Sequence, residues 1–140
     1  MTISAGIVPV RKTNNGYLFL LLRAWNFWDF PKGRVESGEE TINTAIRETE
    51  EEASIPANRL DFKWGKDSYT TEPYLKKKNK VGVYFLAETD KEDIVLPYSE
   101  EIGKPEHEEY RWVTYDDAQN LTNERIGAVL KWAYNKMLGK

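Results

Sequence analysis

Four consecutive apolar residues, Phe19-Leu20-Leu21-Leu22, constrain this chain more than any other stretch of it. Successive side chains of a strand point to opposite faces, so an unbroken apolar run in a strand must be covered on both sides. The run lies in a predicted strand from Tyr17 to Ala24, which Asn14-Asn15-Gly16 separates from a second apolar run, Ser4 to Val10. An Asn-Gly pair favours the positive φ angles of a hairpin turn, so the two runs are expected to pair. A sheet buried on both faces leans toward an α/β layered domain.

Further strands are expected at Phe62 to Thr70, Val81 to Ala87 and Glu109 to Thr114, with a basic stretch, Lys76-Lys77-Lys78-Asn79-Lys80, between the first two. Two segments carry helical periodicity. In the first, Ile42, Ala45, Ile46, Thr49 and Ala53 fall on one face after Ser37-Gly38-Glu39-Glu40, which reads as a capping box. In the second, Asn123 can cap a helix whose Ile126, Val129, Leu130, Ala133 and Met137 form an apolar stripe. Internal repeats, low-complexity tracts and Ser/Gly/Pro linkers are absent from the sequence, so residues 1–140 read as one domain.

Composition narrows the chemistry. With no Cys and one His, thiol catalysis, thiolate zinc and multi-His metal centres are excluded, and any metal must be held mainly by oxygen. Twenty Lys and Arg against 23 Asp and Glu give a formal charge of −3, too acidic for a general binder of nucleic acid or anionic membrane. Phosphate recognition would have to be local. Neither an apolar run long enough to span a bilayer nor the layout of a secretory signal is found, and a cytoplasmic location without membrane partners is expected.

The most informative segment runs from Pro31 to Ile55. On the first predicted helix Glu48, Glu51 and Glu52 sit at i, i+3 and i+4, which places all three on one face away from the apolar stripe, and Glu50 adds a fourth acid nearby. Like charges at this spacing repel, and Arg47 is the one cation within the turn, so a partner outside the helix is expected to compensate them. A hard divalent cation wants oxygen ligands and takes one or two carboxylates while keeping water and substrate phosphate. Taken alone, the cluster reads more readily as a solvated acidic helix face than as a metal site.

The wider spacing decides between these readings. Gly33, five residues, Glu39, seven residues, then Arg47-Glu48-Thr49-Glu50-Glu51-Glu52-Ala53-Ser54-Ile55 resembles the Nudix box, the signature of the Nudix hydrolases. Thr49 replaces the usual aliphatic residue, and Ser54 replaces the glycine that ends the helix, which predicts a tighter helix end or a differently aimed loop. Trp28-Asp29-Phe30-Pro31-Lys32-Gly33 resembles the lead-in of this family, and the box is most similar to that of the diadenosine tetraphosphate hydrolase branch, although Arg34 stands where that branch often has His. The resemblance implies an α/β/α sandwich with a central mixed β-sheet and the box as loop-helix-loop.

It also implies hydrolysis of a nucleoside diphosphate linked to another group, with Mg²⁺ or Mn²⁺ as cofactor. Carried over residue by residue, Glu51 and Glu52 are metal ligands, Glu48 is metal ligand or base, Glu51 shares the catalytic role, and Gly33 offers its carbonyl. Glu39 and Arg47 are expected to form a structural pair. Outside the box, Glu106 resembles an additional acidic ligand, while Lys32, Arg34, Tyr74 and Lys78 are the substrate-binding candidates. His107, a lone histidine, reads as a surface residue or a satisfied hydrogen-bonder. Trp25, Phe27, Trp28, Tyr69 and Tyr74 are core or rim aromatics, with base stacking open to one or two of them. Three functions follow: a pyrophosphohydrolase of dinucleoside polyphosphates; the same chemistry on the 5′-triphosphate end of RNA or on damaged nucleoside triphosphates; or a catalytically silent nucleotide-binding module. A small nucleotide is the expected partner, and no protein partner is inferred.

Overall fold

The computed structural model describes residues 1–75 and 77–140. Its centre is a seven-stranded mixed sheet. Strand β1 (Thr2–Thr13) pairs antiparallel with β2 (Gly16–Ala24), whose far half pairs with β3 (Phe27–Asp29). The short β4 (Lys32–Arg34) pairs with the first half of β1, and helix α1 (Thr41–Ala53) follows it. After a 3₁₀ turn at Ala57–Arg59 come β5 (Ser68–Thr70) and β6 (Lys80–Glu88); β6 lies parallel to β1 from Thr2 to Val10. A small hairpin, β7 (Tyr98–Ser99) and β8 (Lys104–Pro105), precedes β9 (Glu109–Val113), which pairs with β2. Helices α2 (Tyr115–Leu121) and α3 (Glu124–Met137) end the chain. Among the described residues no helix is long and apolar enough to cross a membrane.

The apolar run behaves as two-sided burial requires. Phe19 and Leu21 join Val8, Val10, Tyr84 and Leu86 against Ile126, Val129 and Leu130 of α3. Leu20 and Leu22 face the other way, onto Ala53 and Ile55 at the end of α1. Neighbouring strands alternate in the same manner: Ala5, Ile7, Phe85 and Ala87 turn toward Ala45 of α1. All four residues of the run are at most 1% exposed, so both faces are sealed by helices and the layers are α/β/α.

Local signals are obeyed unevenly. The β1–β2 turn forms at Asn14-Asn15, but neither asparagine takes a positive φ; Gly16 does, at 112°, and the Thr13 hydroxyl donates to its carbonyl at 2.6 Å. Asn123 caps α3 by accepting from the Ile126 amide at 2.9 Å. The capping box before α1 does not form: the N-cap is Glu40, without a side-chain bond, and Glu39 is bound to Thr44 and Arg47. Ser54 keeps the left-handed helix end that its glycine counterpart would adopt, at φ 57°, and its hydroxyl donates to the Val95 carbonyl at 3.0 Å. The expected strand from Phe62 shortens to Ser68–Thr70, since the Gly65 amide bonds back to the Phe62 carbonyl and turns the chain. Thr49 is fully buried, with its hydroxyl satisfied by the Ala45 carbonyl at 2.7 Å. In the basic stretch, Lys76 lies outside the described residues.

Leu21→Ala tests the two-sided core. It leaves a cavity between β2 and α3 and is expected to lower unfolding free energy by about 3 kcal/mol, read from urea denaturation.

Candidate active site

Helix α1 buries Thr44, Ala45, Thr49 and Ala53 against the sheet, which turns its Glu48, Glu51 and Glu52 face toward the end of β4. Gly33 lies opposite Ala5 in the β1–β4 ladder. A Cβ at Gly33 would fall inside the Glu48 carboxylate, so the absence of a side chain lets the acid lie on the strand. Glu48 is 14% exposed and Glu51 55%, one sheltered by β4 and the other open to water.

Arg47 organises the acids. Its guanidinium donates to Glu39 through Nε at 2.9 Å and Nη2 at 3.0 Å, to Glu48 at 2.8 Å, to Glu51 at 3.2 Å and to the Arg34 carbonyl at 3.3 Å. One planar cation thus ties the loop before α1, the end of β4 and two glutamates of α1 together. Glu39 is the better-satisfied partner: bonds from Arg47 first, then Thr44, hold its carboxyl down at about 2. Arg47, the cation within the turn, thus compensates Glu48 and Glu51 but does not reach Glu52.

Glu52 receives no guanidinium. It accepts the Lys32 amide at 3.0 Å, yet burial, reinforced by the charges of Glu106 and Glu48, pushes its pKa up to about 8. Burial and the neighbouring Glu51 also raise Glu48, against the pull of Arg47. Lys32 is drawn the other way. Its ammonium stands 3.3 Å from Asp29, whose charge raises it, and Asp29 also accepts from the Phe30 amide and the Tyr84 hydroxyl.

These groups line a polar cleft of about 730 Å³. It gathers Lys32, Gly33, Arg34, Glu48, Glu51, Glu52 and Glu106. His107 and Lys80 line it too. His107, expected at the surface or as a hydrogen-bonder, stands half-buried in the cleft wall, and burial lowers its pKa. The only signal available was its position beside Glu106. Glu50 is exposed, and its carbonyl serves the helix end.

Tyr74 and Lys78 do not join the acids. They line a second, more apolar cleft of about 650 Å³ with Phe27, Tyr69 and Arg125. The Arg125 guanidinium lies 3.9 Å from the centre of the Tyr74 ring. Lys80, a wall of the acidic cleft, stands 5.9 Å from the same ring and so borders both spaces.

The donor set suits a hard divalent cation. Every candidate ligand is oxygen, and Glu52 is raised by burial first and then by the charges of Glu106 and Glu48. Among the described residues no three acids already stand at the spacing of a closed metal cage. An open carboxylate face suits an ion that keeps water and phosphate among its ligands.

A NUDIX domain model matches residues 1–133, which defines the class: a hydrolase of pyrophosphate bonds on an α/β/α sandwich. The chain belongs to the Nudix hydrolase family. It is 39% identical over 111 residues to the asymmetrical bis(5′-nucleosyl)-tetraphosphatase of Sus scrofa, covering 77% of this chain and 71% of that one. The Caenorhabditis elegans protein of the same name is 34% identical over 134 residues, 91% of each. The crystal structure of a C. elegans Ap4A hydrolase binary complex superposes with a TM-score of 0.85 at 30% identity, covering both chains in full. The similarity therefore runs to the diadenosine tetraphosphate hydrolase branch.

Two expectations follow. Gly33→Ala must displace the Glu48 carboxylate and is expected to lower turnover about a hundredfold, while circular dichroism keeps the helix and sheet signal. Glu39, held near 2 when folded against 4.5 ordinarily, adds stability that is complete above pH 4.5 and lost as pH falls through 2. The difference in urea midpoint between the wild type and Glu39→Gln should therefore close across that interval.

Proposed function

We propose that this chain hydrolyses dinucleoside polyphosphates in a divalent-metal-dependent reaction, splitting diadenosine tetraphosphate into ATP and AMP. The observation that carries the reading is the open face of Glu48, Glu51 and Glu52 against Gly33, in a cleft whose remaining walls supply Lys32, Arg34 and Lys80. The Ap4A-hydrolysing relatives support the choice of substrate. Glu48, Glu51 and Glu52, the Gly33 carbonyl and Glu106 are the groups that would hold the metal, Mg²⁺ or Mn²⁺. When bound, the ion neutralises phosphate oxygens and acidifies a water.

The chain's own groups divide the remaining work. Lys32, Arg34 and Lys80 receive the polyphosphate and offset its charge. A water oxygen forms a bond to phosphorus, the anhydride P–O bond breaks, and the leaving oxygen departs with the triphosphate. The water proton passes to Glu48 or Glu51. Glu48, sheltered by β4 where Glu51 is open to water, is the acceptor we assign, and burial raises its affinity for a proton. Arg47 holds Glu48 in place through its 2.8 Å bond. Tyr74 and Lys78, in the neighbouring cleft, receive one nucleoside. The whole chain is a single Nudix domain in this reading.

The test is a panel of diadenosine tetraphosphate, nucleoside triphosphates and 5′-triphosphorylated RNA, with products resolved by chromatography. Equimolar ATP and AMP, lost on chelation and regained with Mg²⁺, are expected. Glu52→Gln should reduce turnover at least a hundredfold at limiting Mg²⁺ with folding retained. Wild-type activity in that variant overturns the ligand assignment, and preferential release of pyrophosphate from RNA overturns the substrate.

A further inference from the structure

Strand β2 turns into β3 through Trp25-Asn26, with Ala24 paired to Phe27 across the hairpin. Trp25 takes a φ of 59°, and Asn26 does not share the positive sign. A positive φ at the first central residue alone marks a type II′ turn, where glycine is the residue that fits and a bulky side chain is strained. Trp25 is also 80% exposed, more than any other large apolar side chain among the described residues. Both its backbone and its indole are thus placed unfavourably by local criteria.

The surroundings enforce that placement. The Trp25 amide donates to Glu108 Oε1 at 3.2 Å, and its carbonyl accepts from Arg23 Nη1 at 2.8 Å. Arg23 is itself fixed by Glu109 at 3.1 Å. Strain of this kind persists where the rest of the structure over-determines it, and such positions concentrate at ligand sites. The turn sits between the two clefts: Ala24 lines the acidic one and Phe27 the apolar one. Glu108, which holds the turn, follows Glu106 and His107 of the acidic cleft directly in the chain.

We infer that Trp25 is a specificity residue, a stacking platform for the nucleobase at the far end of a polyphosphate held in the acidic cleft. This deepens the proposed function and rests on it. A dinucleoside polyphosphate carries two bases, and the Tyr74 cleft accounts for one. The exposed indole offers the second a broad, base-tolerant face without touching the reacting phosphorus, so it selects for substrates with a second nucleoside and leaves the chemistry alone.

The experiment compares Trp25→Ala and Trp25→Gly with the wild type on diadenosine tetraphosphate and on adenosine 5′-tetraphosphate, which lacks the second nucleoside. Both variants should raise KM for the dinucleoside roughly tenfold or more, the size of a lost base–aromatic stack. KM for the mononucleoside and kcat for either substrate should stay unchanged. Trp25→Gly should melt no lower than the wild type, because glycine accepts the turn's φ. An unchanged dinucleoside KM, an equal rise on both substrates, or a lower melting temperature in Trp25→Gly overturns the inference while the proposed function stands. Failure of the wild type to cleave diadenosine tetraphosphate overturns both.

Discussion

Strand β1 is buried from Ser4 to Val10, and every amide and carbonyl along a buried strand needs a partner. One edge is served throughout by the parallel β6. The other edge is shared: β2 takes Val10 to Thr13, β4 takes Ser4 to Gly6, and the Pro31 carbonyl accepts from the Ile7 amide at 3.2 Å where they part. This fork brings the loop leading into α1 back onto the centre of the sheet. Gly33 comes to rest opposite Ala5, over the same patch of sheet on which α1 lies, and the acids of the helix meet the strand there.

The site is then an electrostatic compromise. Four acids crowd one end of a helix, and Arg47 relieves two of them by making the strongest kind of hydrogen bond available, charge on charge. Its bonds to Glu39 and to the Arg34 carbonyl show that the same side chain fixes the box as a structural unit. Glu52 is left with a backbone amide, and burial first, then the charges of Glu106 and Glu48, raise its pKa. In the same cleft, burial and then the cations Lys32 and Arg125 lower Lys80, with Asp29 pulling the other way. A cleft lined by both acids and basic side chains is suited to a metal ion and a polyphosphate together.

Much of this was legible in the chain. The Phe19–Leu22 run required two covered faces, since side chains alternate across any strand, and α1 and α3 cover them. Glu48, Glu51 and Glu52 share a face because the helical period is fixed by backbone geometry. The spacing from Gly33 to Glu52 carried the family resemblance, and the family is the one the chain belongs to. Local capping was read less well. The Ser37–Glu40 box does not form: the helix begins at Thr41 after an N-cap at Glu40, three residues later than that box would start it, and Glu39 is bound to Arg47 eight residues on, outside a four-residue window.

The sequence by itself determined the periodicities and the order of acids along the helix, which follow from neighbours a few residues apart, and its lack of Cys and single His left a mainly oxygen ligand set. Tertiary structure decided what long-range pairing alone can decide. It set His107 and Lys80 in the wall of the acidic cleft, drew Tyr74 and Lys78 into a separate one, and laid Arg125 across the Tyr74 ring. It also placed an exposed tryptophan at a glycine's φ, held by Glu108 from a distant strand end. Those outcomes depend on which strands meet, and the parallel β1–β6 pairing that governs them joins residues nearly eighty positions apart, as in Thr2 opposite Lys80.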